Sequence, residues 1–260
     1  MNYGKTRVVV CENEQDLGKQ AAHAVARKLR ELLTSLDEVR MIVAAGESQS
    51  AFLNALALEP DIDWDRVVCF NMDDFWDTRI PERFTCGYQT RTQLYDKVNP
   101  RKYHLIRFNA PDPIAEASRF EELLRSMGRI DILCQGIGTS GHLALNEPHQ
   151  TDFNDAAWVR VVETAEQSKR QLGEDPNFSG LGYIPSKGIT MTIPALLNAE
   201  YVYTMVPLAL KRSILTELFN THEPTTALPA SILRDVDGVL FLDRDSCPNQ
   251  YPNAEIVASI

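Results

Sequence analysis

The sequence predicts an α/β protein built on a single doubly wound, mostly parallel sheet flanked by helices. Three observations lead to this prediction. Short apolar runs alternate with helical patterns along the whole chain. The run 41–45 is fully apolar, as in a strand buried on both faces of a parallel sheet. Polar, glycine-containing segments follow several runs, at the edge where such sheets bind ligands.

The elements follow one another in a regular order. The apolar runs predict strands at 7–10, 41–45, 66–72, 104–108, 130–136, 158–162, 188–193, 201–206 and 238–243, and the helical patterns predict helices near 17–36, 85–97, 113–127 and 208–220. Asp112 and Pro113 are typical of an N-cap and a first helical position. Neither a repeat nor a linker interrupts the pattern, so residues 1–260 are expected to form a single domain.

The segment 165–187 differs from the rest of the chain. It is long, polar and rich in glycine and proline. A connection of this length within a compact domain usually has a function, and it often covers a ligand. We therefore predict a lid-like insertion here.

The composition is that of a globular protein, with 44% hydrophobic and 24% charged residues. The formal net charge is −10 and the lysines and arginines form no cluster, so no nucleic-acid partner is expected. No apolar run reaches the roughly 18 residues that span a bilayer, no signal peptide is recognisable, and the five cysteines form no C-x-x-C pair. We expect a soluble cytoplasmic protein with no membrane partner.

Two loops that follow predicted strands carry polar side chains. The first, "AAGESQS", leads into a helix and offers Gly46, Ser48 and Ser50 to an anion, although Glu47 would repel a phosphate unless it turned away. An ordinary turn with a serine cap is the alternative. The second, "NMDDFWD", holds the adjacent carboxyls of Asp73 and Asp74. Adjacent side chains of a strand point to opposite faces, so only one of them can act as a general base in a given site.

A third loop, "GIGTSGHLALNEP" at 136–148, has the G-x-G-x-x-G spacing of a dinucleotide-binding turn. That fingerprint should open a full helix, whereas Pro148 follows after a few residues. His142 suggests acid–base chemistry instead, with Glu147 turning back to orient its imidazole. The glycines, among them Gly138, would let the backbone approach a ligand closely. No ligand spacing predicts a metal site.

The joint occurrence of "FNMDDF" and "GIGTSGHLALNEP", with "GITMTIP", "VPLALKRS" and "LPASIL" further along, resembles the glucosamine-6-phosphate deaminase/isomerase family. This family shares its fold with 6-phosphogluconolactonases. The resemblance covers nearly the whole chain. The segments "NMDDF" and "NEP" are closer to the deaminase/isomerase branch, in which this chain would be a divergent member, such as a galactosamine-6-phosphate isomerase-like protein.

The resemblance implies a role for each site residue. It implies that Asp73 moves a proton between C1 and C2 of the open-chain sugar, that His142 opens the pyranose ring and that Glu147 supports this histidine. It implies that Arg170, with Lys169 as its rival, and Lys211 hold the substrate phosphate. The implied phosphate-binding turn comprises Gly46, Ser48, Gln49 and Ser50.

The chain departs from the family pattern at three places in the implied site. Ser140 replaces the aspartate that usually precedes "GH", and a serine carries no negative charge beside His142. The phosphate turn reads "AGESQS" rather than being rich in glycine and threonine. Phe75 replaces an aromatic residue that often carries a hydroxyl.

The leading hypothesis is an aldose–ketose isomerase or deaminase that acts on a hexosamine or hexose 6-phosphate. It would need no cofactor, because phosphate binding and proton transfer by side chains suffice. A lactone hydrolase of the same fold, a non-catalytic sugar-phosphate sensor and a dinucleotide oxidoreductase remain as alternatives. A homo-oligomer is compatible with the resemblance.

Overall fold

The computed structural model describes residues 1–166, 169–170, 173, 178 and 180–250. The strands in these ranges are β1 (Asn2–Tyr3), β2 (Thr6–Cys11), β3 (Val39–Val43), β4 (Val67–Asn71), β5 (Asp73–Trp76), β6 (Lys102–His104), β7 (Ile130–Gln135), β8 (Val159–Glu163), β9 (Lys187–Met191), β10 (Ala199–Val206) and β11 (Gly238–Asp243). Eight of them form one sheet in the order β1-β2-β11-β10-β7-β3-β4-β6. Every neighbouring pair is parallel except β1 and β2, so the predicted doubly wound, mostly parallel sheet is confirmed.

Helices cover both faces of this sheet. They are α1 (Glu14–Leu33), α2 (Ser50–Leu56), α3 (Cys86–Thr90), α4 (Asp96–Val98), α5 (Pro113–Met127), α6 (Ile193–Leu196) and α7 (Arg212–Asn220), with a π-helical turn, Arg91–Tyr95, between α3 and α4. Asn13 caps α1, and Asp112 caps α5 with Pro113 at the first turn, as predicted. Within the described ranges, every helix is too short or too polar to pass through a lipid bilayer.

The core lies in two layers, one on each face of the main sheet. Successive strand residues alternate between the layers, so Met41 belongs to one and Ile42 to the other. The first layer contains the apolar faces of α1 and α2, and the second contains those of α5 and α7. This burial on both sides explains why the central strands are apolar almost throughout.

A second, smaller sheet is the main difference from the sequence prediction. The runs 158–162 and 188–193 do form strands, but β8 and β9 pair antiparallel with each other, and β9 pairs antiparallel with β5. Asp73 therefore begins a strand of its own, whereas the sequence prediction has it follow the strand 66–72. The predicted strand at 104–108 is also displaced, because β6 ends at His104. An apolar run predicts a strand but does not identify the strand's partner.

The order of the strands fixes the position of the functional loops. The chain runs from β3 outward to β4 and β6, and then returns to β7 on the other side of β3 before it reaches β10 and β11. The loops that leave β3 and β7 therefore diverge at a topological switch point. In open α/β sheets, ligands bind in the crevice at this position, beyond the carboxyl ends of the strands.

Candidate active site

A cavity of about 500 Å³ opens at the switch point. Its walls come from the loops after β3 and β7, from the start of β5 and from α3. Eight of the ten predicted site residues line it: Gly46, Ser48, Gln49, Asp73, Gly138, His142, Arg170 and Lys211. Glu147 lies behind His142, and Ser50 lies outside the wall. Site predictions from five separate segments of the chain thus fall in one place.

Asp73 lies in the cavity wall at the start of β5, with only 9% of its surface exposed. Its backbone is held in register opposite Thr190 of β9, so the second sheet fixes its position. Burial raises the pKa of Asp73 to about 6, while the nearby His142 opposes this rise. A buried carboxylate with a pKa close to neutral is suited to accept and return a proton at physiological pH.

Asp74 has a different task, because its side chain points to the opposite face of β5. Its carboxylate accepts hydrogen bonds from the backbone N–H groups of Phe75 (2.9 Å), Cys86 (3.0 Å) and Gly87 (2.9 Å). Burial raises the pKa of Asp74, and these donors oppose the rise because they stabilise the charged form. Asp74 thus attaches the first turn of α3 to the strand that carries Asp73.

His142, Ser140 and Glu147 form a hydrogen-bonded cluster at the other wall. The Ser140 hydroxyl donates to Glu147 Oε2 over 2.6 Å, and its oxygen lies 2.8 Å from His142 Nδ1. His142 Nδ1 also lies 3.0 Å from Glu147 Oε1. Since the serine has one hydrogen and gives it to the carboxylate, Nδ1 must carry the hydrogen that the serine oxygen accepts. Nε2 is therefore the ring atom left for chemistry in the cavity.

Gly138 is required where this loop passes the imidazole. A Cβ atom at this position would overlap the His142 ring at Cε1 and Nε2. The Gly138 N–H also donates to the His142 carbonyl over 3.0 Å, which closes the turn. The whole of 136–158 is described and contains no helix, so the G-x-G-x-x-G spacing is not followed by the helix of a dinucleotide-binding turn. The glycines give room to the histidine.

The loop after β3 forms the opposite end of the cavity. Gly46 precedes a 3₁₀ turn, Glu47–Gln49, and Ser48 Oγ accepts a hydrogen bond from Gln49 Nε2 over 3.1 Å. The serine hydroxyl hydrogen is thus left to donate to a ligand. The Gly46 N–H is engaged by the side chain of Gln89. Ser50, predicted as part of this turn, instead begins α2 and does not line the cavity, which corrects that prediction.

Two cationic side chains line the cavity. Lys211 is only 4% exposed and lies in the 3₁₀ turn before α7. Arg170 lines the cavity from the segment 165–187, whereas its rival Lys169 forms an ion pair with Glu166 over 2.6 Å. Parts of the predicted lid, 167–168, 171–172, 174–177 and 179, lie outside the described residues. The lid therefore stays a prediction.

Several residues of the cavity wall carry no recognisable signal in the sequence. Gln89 and Cys86 reach the cavity from α3, and Phe178 packs edge-on against Phe75 with ring centroids 5.3 Å apart. No local pattern marks these residues, because their partners are distant in sequence. Among the described residues, no three histidine, cysteine, aspartate or glutamate side chains gather in a way that could hold a metal ion.

The fold and the site together define a doubly wound α/β protein with a small-molecule cavity at its switch point. The chain belongs to the family of glucosamine-6-phosphate isomerases/6-phosphogluconolactonases, whose model matches residues 12–242. The glucosamine-6-phosphate deaminase of Yersinia enterocolitica is 28% identical over 210 residues, 77% of this chain and 76% of the relative. That of an Exiguobacterium species is 28% identical over 178 residues, 68% of this chain and 67% of the relative.

Solved structures show the same fold. A monomeric glucosamine-6-phosphate deaminase matches with a TM-score of 0.80 at 22% identity, over 93% of this chain and 98% of that one. The 6-phosphogluconolactonase of Thermotoga maritima matches with a TM-score of 0.73 at 18% identity, over 92% and 99% of the two chains. At these identities the similarity concerns the fold, and both activities of the family occur on it.

Proposed function

We propose that this protein is an aldose–ketose isomerase or deaminase that acts on a hexosamine or hexose 6-phosphate. One observation carries the proposal: the buried carboxylate of Asp73, with its pKa raised to about 6, shares a cavity with the imidazole of His142. A base and an acid that face one ligand are what proton transfer between adjacent carbons requires. The relatives named as deaminases support the same reading.

The first step is ring opening, and His142 is its acid. Protonated His142 donates the Nε2 proton to the ring oxygen, and the C1 hydroxyl gives its proton to water as the C1–O5 bond breaks to give the aldehyde. Glu147 and Ser140 hold Nδ1, so the ring keeps one orientation during the transfer. Their carboxylate–hydroxyl hydrogen bond is partly buried beside the histidine, and a hydrogen bond withdrawn from water is electrostatically stronger than an exposed one.

The second step is the proton transfer at carbon. Asp73 removes the proton from C2 while O1 takes up a proton from water, which gives an enediol or, with an amino sugar, an enolamine. The same carboxyl returns the proton to C1, and the hydroxyl or amino group on C2 gives up a proton to water. With a hexose the product is the ketose phosphate; with an amino sugar the product imine takes up water and releases ammonia. Burial raises the pKa of Asp73 to about 6, so the carboxylate is basic enough to accept the proton. Because this pKa is close to neutral pH, the carboxyl can also return the proton.

The far end of the cavity binds the phosphate in this proposal. Ser48 and the turn after Gly46 offer hydrogen-bond donors, and Lys211 and Arg170 supply positive charge. Phosphate binding there holds the sugar with C1 and C2 between Asp73 and His142. Binding energy from this remote group can thus be used to position the reacting carbons.

Proton NMR on the wild-type protein in deuterated water tests the proposal. The protein is incubated with a panel of hexose and hexosamine 6-phosphates and with 6-phosphogluconolactone. We expect loss of the C2 proton signal of at least one sugar phosphate and formation of the matching ketose phosphate. Lactone opening without C2 exchange would instead assign a hydrolase, in which His142 activates water. Binding without either reaction would assign a sensor.

The pH dependence of the reaction follows from Asp73. The carboxyl must be ionised to accept the proton, so below about pH 6 kcat/KM should fall about tenfold for each pH unit. Steady-state rates between pH 4.5 and 8 measure this. The substrate phosphate ionises in the same range, so inhibition by an unreactive hexitol 6-phosphate is measured in parallel. A rate that is flat down to pH 5 after this correction would contradict the assignment.

A further inference from the structure

Gln89 makes a contact that the proposed mechanism does not use. Its side chain is 5% exposed and lies in α3, and Oε1 accepts a hydrogen bond from the Gly46 backbone N–H over 3.0 Å. The two residues are 43 positions apart in the sequence. A buried amide thus reaches from one wall of the cavity to the first residue of the phosphate-binding turn.

Gly46 adopts a backbone conformation that needs such support. Its φ of 112° and ψ of 163° lie in a region that is open to glycine and costly for other residues. A Cβ atom here would meet no heavy atom within 4 Å, so the glycine is required by its conformation rather than by lack of space. The Gly46 carbonyl accepts a hydrogen bond from the Gln49 N–H over 3.0 Å. Gln89 therefore holds one side of the turn and Gln49 the other.

The helix that carries Gln89 is itself attached to the strands of the site. Its N-terminal N–H groups are held by Asp74, the neighbour of the proposed base. At the other end, the hydroxyls of Thr90 and Tyr95 both donate to Asn71 Oδ1, over 3.0 and 3.2 Å. The π-helical turn Arg91–Tyr95 follows Thr90 directly and ends at Tyr95, and distortions of this kind occur frequently at functional sites.

We infer that Gln89 is a positioning residue for phosphate binding. It connects the strand of Asp73, through α3, to the turn at Gly46, and it holds this turn in the conformation that binds the phosphate. This role rests on the proposed function, because it assigns the phosphate to that turn. It predicts that loss of the Gln89 acceptor weakens phosphate binding and leaves the chemical step intact.

The variant Gln89→Met tests this inference, because it keeps the length of the side chain and removes the acceptor. We expect the KM for the sugar phosphate and the dissociation constant for inorganic phosphate to rise by the same factor, roughly 5- to 10-fold, the effect of one hydrogen bond. We expect kcat to stay within about twofold. Hydrogen exchange of the Gly46 amide, followed by NMR, should become at least about tenfold faster.

Gln93→Met is the matched control, since Gln93 lies in the adjacent π-helical turn and does not line the cavity. It should leave phosphate binding and Gly46 exchange unchanged. Gln89→Glu keeps an acceptor, so Gly46 should stay protected while the added negative charge weakens phosphate binding. Thermal melting verifies that each variant is folded.

The readouts separate this inference from the proposed function. Phosphate titration and amide exchange need no turnover, so both stay informative if the protein does not isomerise sugars. Unchanged phosphate affinity in Gln89→Met, or a fall in kcat at unchanged KM, would overturn the role of Gln89. A wild-type protein that binds no inorganic phosphate would overturn it together with the assigned phosphate end, even if C2 exchange occurs.

Discussion

Replacing Asp73 by asparagine is expected to lower kcat by at least about 10³-fold, because the amide cannot accept the C2 proton. The change keeps the shape of the side chain, and Asp73 faces a cavity whose phosphate end lies in another loop. The dissociation constant for inorganic phosphate should therefore change by less than about threefold. Proton NMR in deuterated water measures C2 exchange directly, and titration calorimetry measures phosphate binding.

Asp77→Asn is the matched control for this experiment. Asp77 follows β5 and pairs with the exposed Arg79 over 2.8 Å, and it does not line the cavity. Its loss should leave C2 exchange within about twofold of the wild-type rate. If Asp73→Asn still exchanged the C2 proton at a tenth of the wild-type rate or more, Asp73 could not be the base.

Gly138→Ala is expected to lower kcat by roughly 10²-fold, because the added methyl group occupies the space of the His142 imidazole. Displacement of a catalytic group by about 1 Å can have an effect of this size. Gly138 is not among the glycines with positive φ, so the cost comes from overlap with the ring and not from the backbone. Steady-state kinetics and the melting temperature are measured together.

Gly128→Ala separates this effect from general destabilisation. Gly128 has a φ of 76° and open space at the position of a Cβ atom, so alanine strains the backbone far from the cavity. Both variants should melt at a lower temperature, and Gly138→Ala alone should lose activity. Wild-type kinetics in Gly138→Ala would show that the imidazole position is not critical.

The sequence is a good guide to elements whose signal is local. The apolar runs of β3 and β7 are buried on both faces, which leaves a pattern that can be read without knowing the partners. The same signal did not separate β8 and β9 from the main sheet. Strand pairing depends on segments distant in the chain, and the antiparallel partner of β9 is the four-residue strand β5.

The same distinction between local and long-range signals applies to the residues of the candidate site. Asp73 and His142 lie in short motifs next to predicted strands, so their types and positions indicate chemistry from the sequence alone. Gln89 lies inside a helix, and only the three-dimensional structure brings it to Gly46. Ser140 is visible in the sequence as a departure from the family pattern, but only the structure shows its position between His142 and Glu147.

The position of Ser140 has a consequence for the electrostatics of the folded loop. The loop 136–148 buries a single carboxylate, Glu147, whose Oε1 lies 3.0 Å from His142 Nδ1. A second carboxylate at position 140 would have to be stripped of water at a cost of several kcal/mol and would repel Glu147. The neutral hydroxyl of Ser140 avoids both this desolvation cost and the repulsion of Glu147. The loop thus folds around its histidine with one buried carboxylate, and it presents less negative charge to the proposed sugar phosphate than a loop with two carboxylates would.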